Sequence, residues 1–87
     1  VATKDITDLQ VVRAYAEMKR QMDDVRPSGL RFEYADQILR RETGQPEKVC
    51  YRAMERAFSR DLVDYGTWLR VGWLTDKGRE LLNLISQ

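Results

Sequence analysis

The sequence predicts a mainly helical α+β domain spanning residues 1–87, in the order helix, strand, helix, helix, hairpin, helix. Three observations predict it. Apolar residues recur three and four apart through most of the chain, the spacing of a helix lying on a core. Two short stretches within residues 62–74 alternate apolar and polar instead, as strands do. Gly44 and Pro46 interrupt the central helical pattern, so two helices meet there across a very short turn.

The first helix is announced by Thr7 with Gln10 three residues on, a capping-box spacing, and by Ile6 ahead of the cap facing Val11. It is expected to run to about Met22, with Val11, Tyr15, Met18 and Met22 forming a stripe that Leu9, Val12 and Ala16 widen. Asp23 to Gly29 combines charge with Pro27 and Gly29 and reads as a loop. Leu30-Arg31-Phe32 alternates and predicts a very short strand. A second helix follows, with Tyr34, Ala35, Ile38 and Leu39 on its apolar face, and closes at Thr43-Gly44. Gln45-Pro46 restarts the chain, with proline expected at the first helical position. In this third helix, about 46–60, Val49, Cys50, Ala53, Met54, Ala57 and Phe58 form the expected inner face. Lys48, Tyr51, Arg52, Glu55, Arg56, Ser59 and Arg60 fall largely on the other side. Leu62 to Tyr65 and Val71 to Leu74 are expected to pair as the hairpin, with Trp73 in the core. Thr75 caps a last helix, whose Leu81, Leu82 and Ile85 return to the core or meet another chain.

Composition bounds the function. The chain has 43% hydrophobic and 33% charged residues, the latter mixed in sign, which excludes wholesale disorder. No stretch approaches the roughly 18 apolar residues of a membrane span, and the N-terminus lacks a secretory pattern, so a soluble, cytoplasmic chain without membrane contact is expected. The start at Val1 is read as trimming or processing. Histidine is absent, which removes imidazole-based zinc sites, hydrolytic triads and proton switches near neutrality. The single cysteine, Cys50, forms no internal disulfide and is expected to act as a small buried hydrophobe. The pairs Asp23-Asp24 and Glu33 with Asp36 lack a third ligand and read as polar surface. No enzyme activity, metal or cofactor is expected. The net charge of +1 does not point to nucleic acid by itself, but its distribution is uneven. Between Arg40 and Arg60 six basic residues (Arg40, Arg41, Lys48, Arg52, Arg56, Arg60) face three acidic ones (Glu42, Glu47, Glu55).

The order of elements is that of a winged helix-turn-helix, and the wording resembles that superfamily too. Leu62-Val63-Asp64-Tyr65-Gly66, followed by Gly72-Trp73-Leu74-Thr75-Asp76-Lys77-Gly78, resembles the end of the wing in bacterial regulators of the MarR and PadR type. The resemblance covers roughly residues 30–82. It implies a third helix in the major groove of double-stranded DNA and a wing, about 62–74, on the flanking backbone. On that reading Gln45, Lys48, Tyr51, Arg52 and Arg56, with Glu55 beside them, meet the groove and Arg70 acts from the wing. Arg40 and Arg41, closing the preceding helix, would hold backbone. The chemistry suits these roles independently, since arginine takes guanine bidentately, glutamine takes adenine, and lysine or tyrosine fixes a phosphate.

The implied function is site-specific DNA binding in the regulation of transcription in a bacterium or phage, which would place the chain on the nucleoid. A homodimer through the first and last helices is expected, because one reading helix contacts few base pairs. Two plainer readings stand beside this. The basic residues of the third helix equally form the solvated face of an amphipathic helix, with pairs such as Arg52 and Glu55. The sparsely charged wing, with Trp68 and Leu69 at its tip, also suits a module that binds protein, such as a small phage or accessory factor acting on a host complex.

Overall fold

A computed structural model describes residues 6–25 and 32–86, the side chains of Asp24, Val25, Ile85 and Ser86 excepted. Four helices and one two-stranded antiparallel sheet make it α+β. The elements are α1 (Asp8–Val25), α2 (Ala35–Thr43), α3 (Glu47–Ser59), β1 (Val63–Asp64), a 3-10 turn (Leu69–Val71), β2 (Trp73–Leu74) and α4 (Asp76–Ser86). The strand expected over residues 30–32 lies outside the described residues except for Phe32, which is not in a strand. No described helix is long and apolar enough to cross a membrane.

α1 begins as its cap dictates. The Gln10 N–H donates to Thr7 Oγ1 at 3.2 Å and the Thr7 N–H donates to Gln10 Oε1 at 2.8 Å, so two otherwise orphaned donors are satisfied reciprocally. The helix continues past Met22 to Val25, because nothing before Pro27 breaks it and Lys19 pairs with Asp23 one turn on. Its buried side, Val11, Val12, Ala14, Tyr15 and Met18, is the axis of the core, against which α2, α3, α4 and β2 all pack. Ile38 and Leu39 of α2 and Cys50, Ala53, Met54 and Ala57 of α3 close over it.

The α2–α3 junction follows from two residues. Gly44 takes the left-handed conformation at φ 73° and its N–H donates to Arg40 O at 2.9 Å, ending α2. Pro46 stands one position earlier than expected, as the N-cap of α3, where its carbonyl accepts from both the Val49 and Cys50 N–H groups. At the far end, Asp61 adopts φ 64°, the Asp61 N–H donates to Phe58 O, and the Leu62 N–H donates to Ala57 O. This Schellman closure turns the chain back so that Leu62 and Val63, rather than Phe58, fill the core. Phe58, expected on the inner face, is therefore 42% exposed and lies beside Tyr65 at 5.0 Å between ring centroids.

The sheet is smaller than expected, two residues per strand, with Val63 opposite Leu74 and Asp64 opposite Trp73. Side chains alternate across a strand, so inward Val63 and Leu74 force Asp64 and Trp73 outward. Trp73 is accordingly 51% exposed, a correction to its expected place in the core. Between the strands the chain folds back into the 3-10 turn instead of projecting, and Leu69 is buried.

α4 starts as expected, with the Gly78 N–H donating to Thr75 Oγ1 at 3.1 Å. Thr75 also ties the helix to the chain reversal. Its N–H donates to Leu62 O at 3.1 Å and its hydroxyl donates to Asp61 O. Gly78 packs so closely that a β-carbon there would lie 2.1 Å from Leu62 O, which explains glycine at that position. Leu81 and Leu82 are half-buried, while the Ile85 side chain lies outside the described residues.

Asp61 is the one non-glycine residue with positive φ among those described. Since the left-handed conformation costs an L-residue about 1 kcal/mol, Asp61→Gly is expected to stabilise the chain by about 0.5–1 kcal/mol. Thermal unfolding followed by circular dichroism checks this, with a rise in Tm of about 3–6 °C.

Candidate functional site

α3 presents its outer side to solvent between its buried stripe and the α2–α3 turn. Glu47, Lys48, Tyr51, Arg52 and Glu55 line a shallow surface there, spaced three and four apart as one helix face requires. Lys48 and Arg52 are exposed and Tyr51 is half-buried. A second depression, around the turn, joins Gln37, Arg40, Arg41, Gly44, Gln45 and Pro46. Five of the sequence-predicted residues are thereby brought together with Arg40: Arg41, Gln45, Lys48, Tyr51 and Arg52 occupy adjoining surfaces at the start of α3.

The arginines differ in what already holds them. Arg41 forms a two-pronged pair with Glu33, Nε and Nη2 donating at 3.0 and 2.9 Å. That bond, and a second from Gln21, hold the Glu33 carboxyl below its usual range. Gln21 extends the network to Glu17, whose pKa falls to about 2 through hydrogen bonds from Arg20 first and Gln21 second. Arg56, expected at the groove, turns instead toward the start of α1. Its Nε donates to Asp8 Oδ1 at 3.2 Å and its Nη2 to Ile6 O, and Arg60 pairs with the same carboxylate. Arg40, Lys48 and Arg52 carry no ion pair among the described residues. The expected pair of Arg52 with Glu55 is not among the ion pairs of this structure.

Arg70 is the largest departure. Its Nε donates to Asp36 Oδ1 at 2.8 Å, and Asp36 is 1% exposed. The guanidinium also lies 4.4 Å from the Tyr34 ring centroid and 4.9 Å from that of Trp68. Rather than standing free on a wing, Arg70 locks the 3-10 turn onto the start of α2. Trp68 remains 46% exposed and available at the surface, whereas Leu69 is buried and its carbonyl accepts from the Tyr15 hydroxyl at 2.6 Å. Burial pushes that hydroxyl's pKa up, so it stays a donor. Asp36, read from the sequence as polar surface with Glu33, is buried instead, and the signal for this was its place between Ala35 and Leu39 on an apolar stripe, where a carboxylate needs a buried partner.

Cys50 is buried in α3, and desolvation raises its pKa, as an unreactive thiol requires. Among the described residues no three of His, Cys, Asp and Glu cluster closely enough to hold a metal. Asp23 is taken by Lys19, Glu33 by Arg41 and Asp36 by Arg70. The chain matches no protein-family model, no curated protein and no solved structure.

Two measurements test these assignments. Breaking a buried pair leaves an uncompensated charge, so Arg70→Ala is expected to cost about 2–4 kcal/mol in urea unfolding, and Asp36→Ala with Arg70→Ala together less than the sum of the two singles. Glu17 and Glu33 have folded pKa values below their unfolded ones. Their contribution is therefore present above the ordinary carboxylate range near 4.5 and is lost as pH falls toward about 2. Tm measured from neutral pH down to about 2 is expected to fall in that window, and less steeply in Glu17→Gln.

Proposed function

We propose that the chain is a winged helix-turn-helix that binds double-stranded DNA with α3 in the major groove, in the service of transcriptional regulation in a bacterium or phage. One observation carries the reading. Of the described basic residues, Arg13, Arg40, Lys48, Arg52 and Lys77 carry no ion pair, and three of these five, Arg40, Lys48 and Arg52, gather at the α2–α3 turn and on the outer face of α3, while Lys19, Arg20, Arg41, Arg56, Arg60, Arg70 and Arg79 are paired. A helix of about 10–12 Å diameter fits the major groove of about 12 Å, and among the described residues only α3 lines that surface.

The roles follow from chemistry. Arg52, one turn along from Lys48, suits guanine O6 and N7; Lys48 and the Tyr51 hydroxyl suit phosphate; Gln45 in the turn suits adenine. Arg40, with Arg41 when it leaves Glu33, suits the flanking backbone. Glu47 and Glu55 can accept from the amino groups of cytosine N4 or adenine N6 and disfavour any register that brings them to phosphate. Arg56 and Arg70 drop out of the contact set, because their guanidinium groups are spent on Asp8 and Asp36.

The test is binding of random-sequence duplex DNA across a salt series. With about three phosphates neutralised, by Lys48, Arg40 and Arg41, log K against log salt should slope at roughly −3; Lys48→Ala should remove about one third of that slope, and Arg52→Ala should lower affinity with little change of slope. Arg56→Ala should leave the slope unchanged. Absence of binding at low salt for the unaltered chain overturns the proposal.

A second reading, a winged-helix module that binds protein, is favoured by Trp68 and Trp73, both about half exposed. Tryptophan is enriched at the energetic centres of protein interfaces. That role predicts a partner whose affinity is insensitive to salt and is lost in Trp73→Ala.

A further inference from the structure

We infer that the indole of Trp68 is a stacking platform for an unpaired nucleobase, and that the molecule binds a short single-stranded nucleic acid there, with phosphates held by the cations at the end of α2. The inference does not rest on the duplex reading, since Lys48 and Arg52 of α3 take no part in it.

Three rings and a cation build the platform. Phe32, Tyr34 and Trp68 form a row, with centroids 5.5 Å apart between Phe32 and Tyr34 and 5.4 Å apart between Tyr34 and Trp68. The Arg70 guanidinium stands 4.4 Å from the Tyr34 centroid and 4.9 Å from that of Trp68. The separations among Tyr34, Trp68 and Arg70 are nearly equal, so Tyr34 and Arg70 lie on one side of the indole. Trp68 is nonetheless 46% exposed, which leaves its other side open to a ligand. Arg70 is itself held by buried Asp36 at 2.8 Å, so the ring rests on a fixed support.

The charge around the rings identifies the partner. The carboxylates beside them, Glu33 and Asp36, are neutralised by Arg41 and Arg70. Arg40 carries no ion pair among the described residues, so this corner keeps a positive charge. Gln37 links the two parts of the site. Its Oε1 accepts from the Tyr34 N–H at 2.9 Å, and it lines the depression that Arg40 and Arg41 share. Residues 34 to 41 span about 10 Å, about three steps of a stacked strand at about 3.4 Å each.

A polyanion that also offers flat π faces is a nucleic acid. It has to be single-stranded, because a duplex keeps its bases stacked on one another and presents only their edges. A base laid on an aromatic ring, with arginine beside it and a basic track for the backbone, is the arrangement of single-strand sites that tolerate any sequence. A neutral or basic peptide gains nothing from Arg40.

The test is intrinsic fluorescence of the Trp73→Phe chain, in which Trp68 is the only tryptophan, titrated at low salt with an oligothymidylate of about ten nucleotides. Saturable quenching is expected. By the anisotropy of an end-labelled oligothymidylate, Trp68→Ala should lose at least about fivefold in affinity with unchanged circular dichroism, and Trp68→Phe should lose less because a ring remains. Arg40→Gln should weaken binding and flatten its salt dependence. Lys48→Ala with Arg52→Ala should leave it unchanged. Absence of oligothymidylate binding at low salt overturns the inference, as does binding that is indifferent to Trp68→Ala or abolished by Lys48→Ala with Arg52→Ala. A hairpin duplex titrated alongside should bind no more weakly to Trp68→Ala; a chain that takes the strand and not the duplex upholds this inference while the duplex proposal fails.

Discussion

A carboxylate at 1% exposure is the constraint on which the rest of this structure turns. Asp36 sits in the first turn of α2 among apolar neighbours, and an isolated charge there would be far too costly to keep. Arg70 answers it from a segment 34 residues away in sequence. Because the Arg70 guanidinium must reach Asp36, the segment between β1 and β2 folds back along α2. Leu69 is thereby carried into the core, and Tyr15 on α1 holds its carbonyl. One pair thus fixes the third dimension of the fold: it joins α2 to the sheet segment, while the Tyr15 hydroxyl joins that same segment to α1. The rings of Tyr34 and Trp68, which pack against each other at 5.4 Å between centroids, give the Arg70 cation a second favourable contact.

The same competition for arginine decides where charge is left for a ligand. Asp8 draws both Arg56 and Arg60 to the start of α1, and Glu33 draws Arg41 toward α2's own beginning. Exposed pairs of this kind contribute little to stability, but they orient long side chains that would otherwise sample many rotamers. The Asp36 pair is different in kind, since Asp36 is buried and would be left as an uncompensated charge if Arg70 exchanged it for phosphate. Arg41 is exposed and its link to Glu33 is solvent-facing, so it can exchange partners at small cost. The surface proposed to meet DNA is what remains after these internal demands, which is a narrower patch than a count of basic residues between 40 and 60 implies.

What the sequence made legible is local. Thr7 with Gln10, Gly44 ahead of Pro46, and Thr75 with Gly78 each act within a few residues, and each appears at its element boundary in the structure. The buried stripes of α1 and α3 follow from periodicity for the same reason. What was not legible depends on contacts between distant segments. Phe58 continues the α3 stripe in a helical projection, but the Schellman closure at Asp61 brings Leu62 and Val63 into the place it would fill. Trp73 lies on the outward side only because Leu74 pairs with Val63, and a slip of one residue would reverse both. Arg56 faces Asp8 across 48 positions of sequence, which no helical wheel contains. The expected surface role of Leu69 failed for the reason already given, the pull of Asp36 on its neighbour.

These non-local features also bear on the role proposed for the outer surface of α3. A reading side chain must be held on a rigid element and still be unspent. α3 meets the first condition because its inner face is buried in four places, its start is set by the Pro46 carbonyl, and its end is clamped by the turn at Asp61. It meets the second because Asp8 removes only the arginines at its C-terminal end. Had Asp8 been absent, four cations would line the whole outer side of α3 without preference for either end. Asp8 therefore polarises the helix, leaving unspent the cations of its N-terminal half, where the backbone N–H groups also favour anions, which is the half the DNA proposal uses.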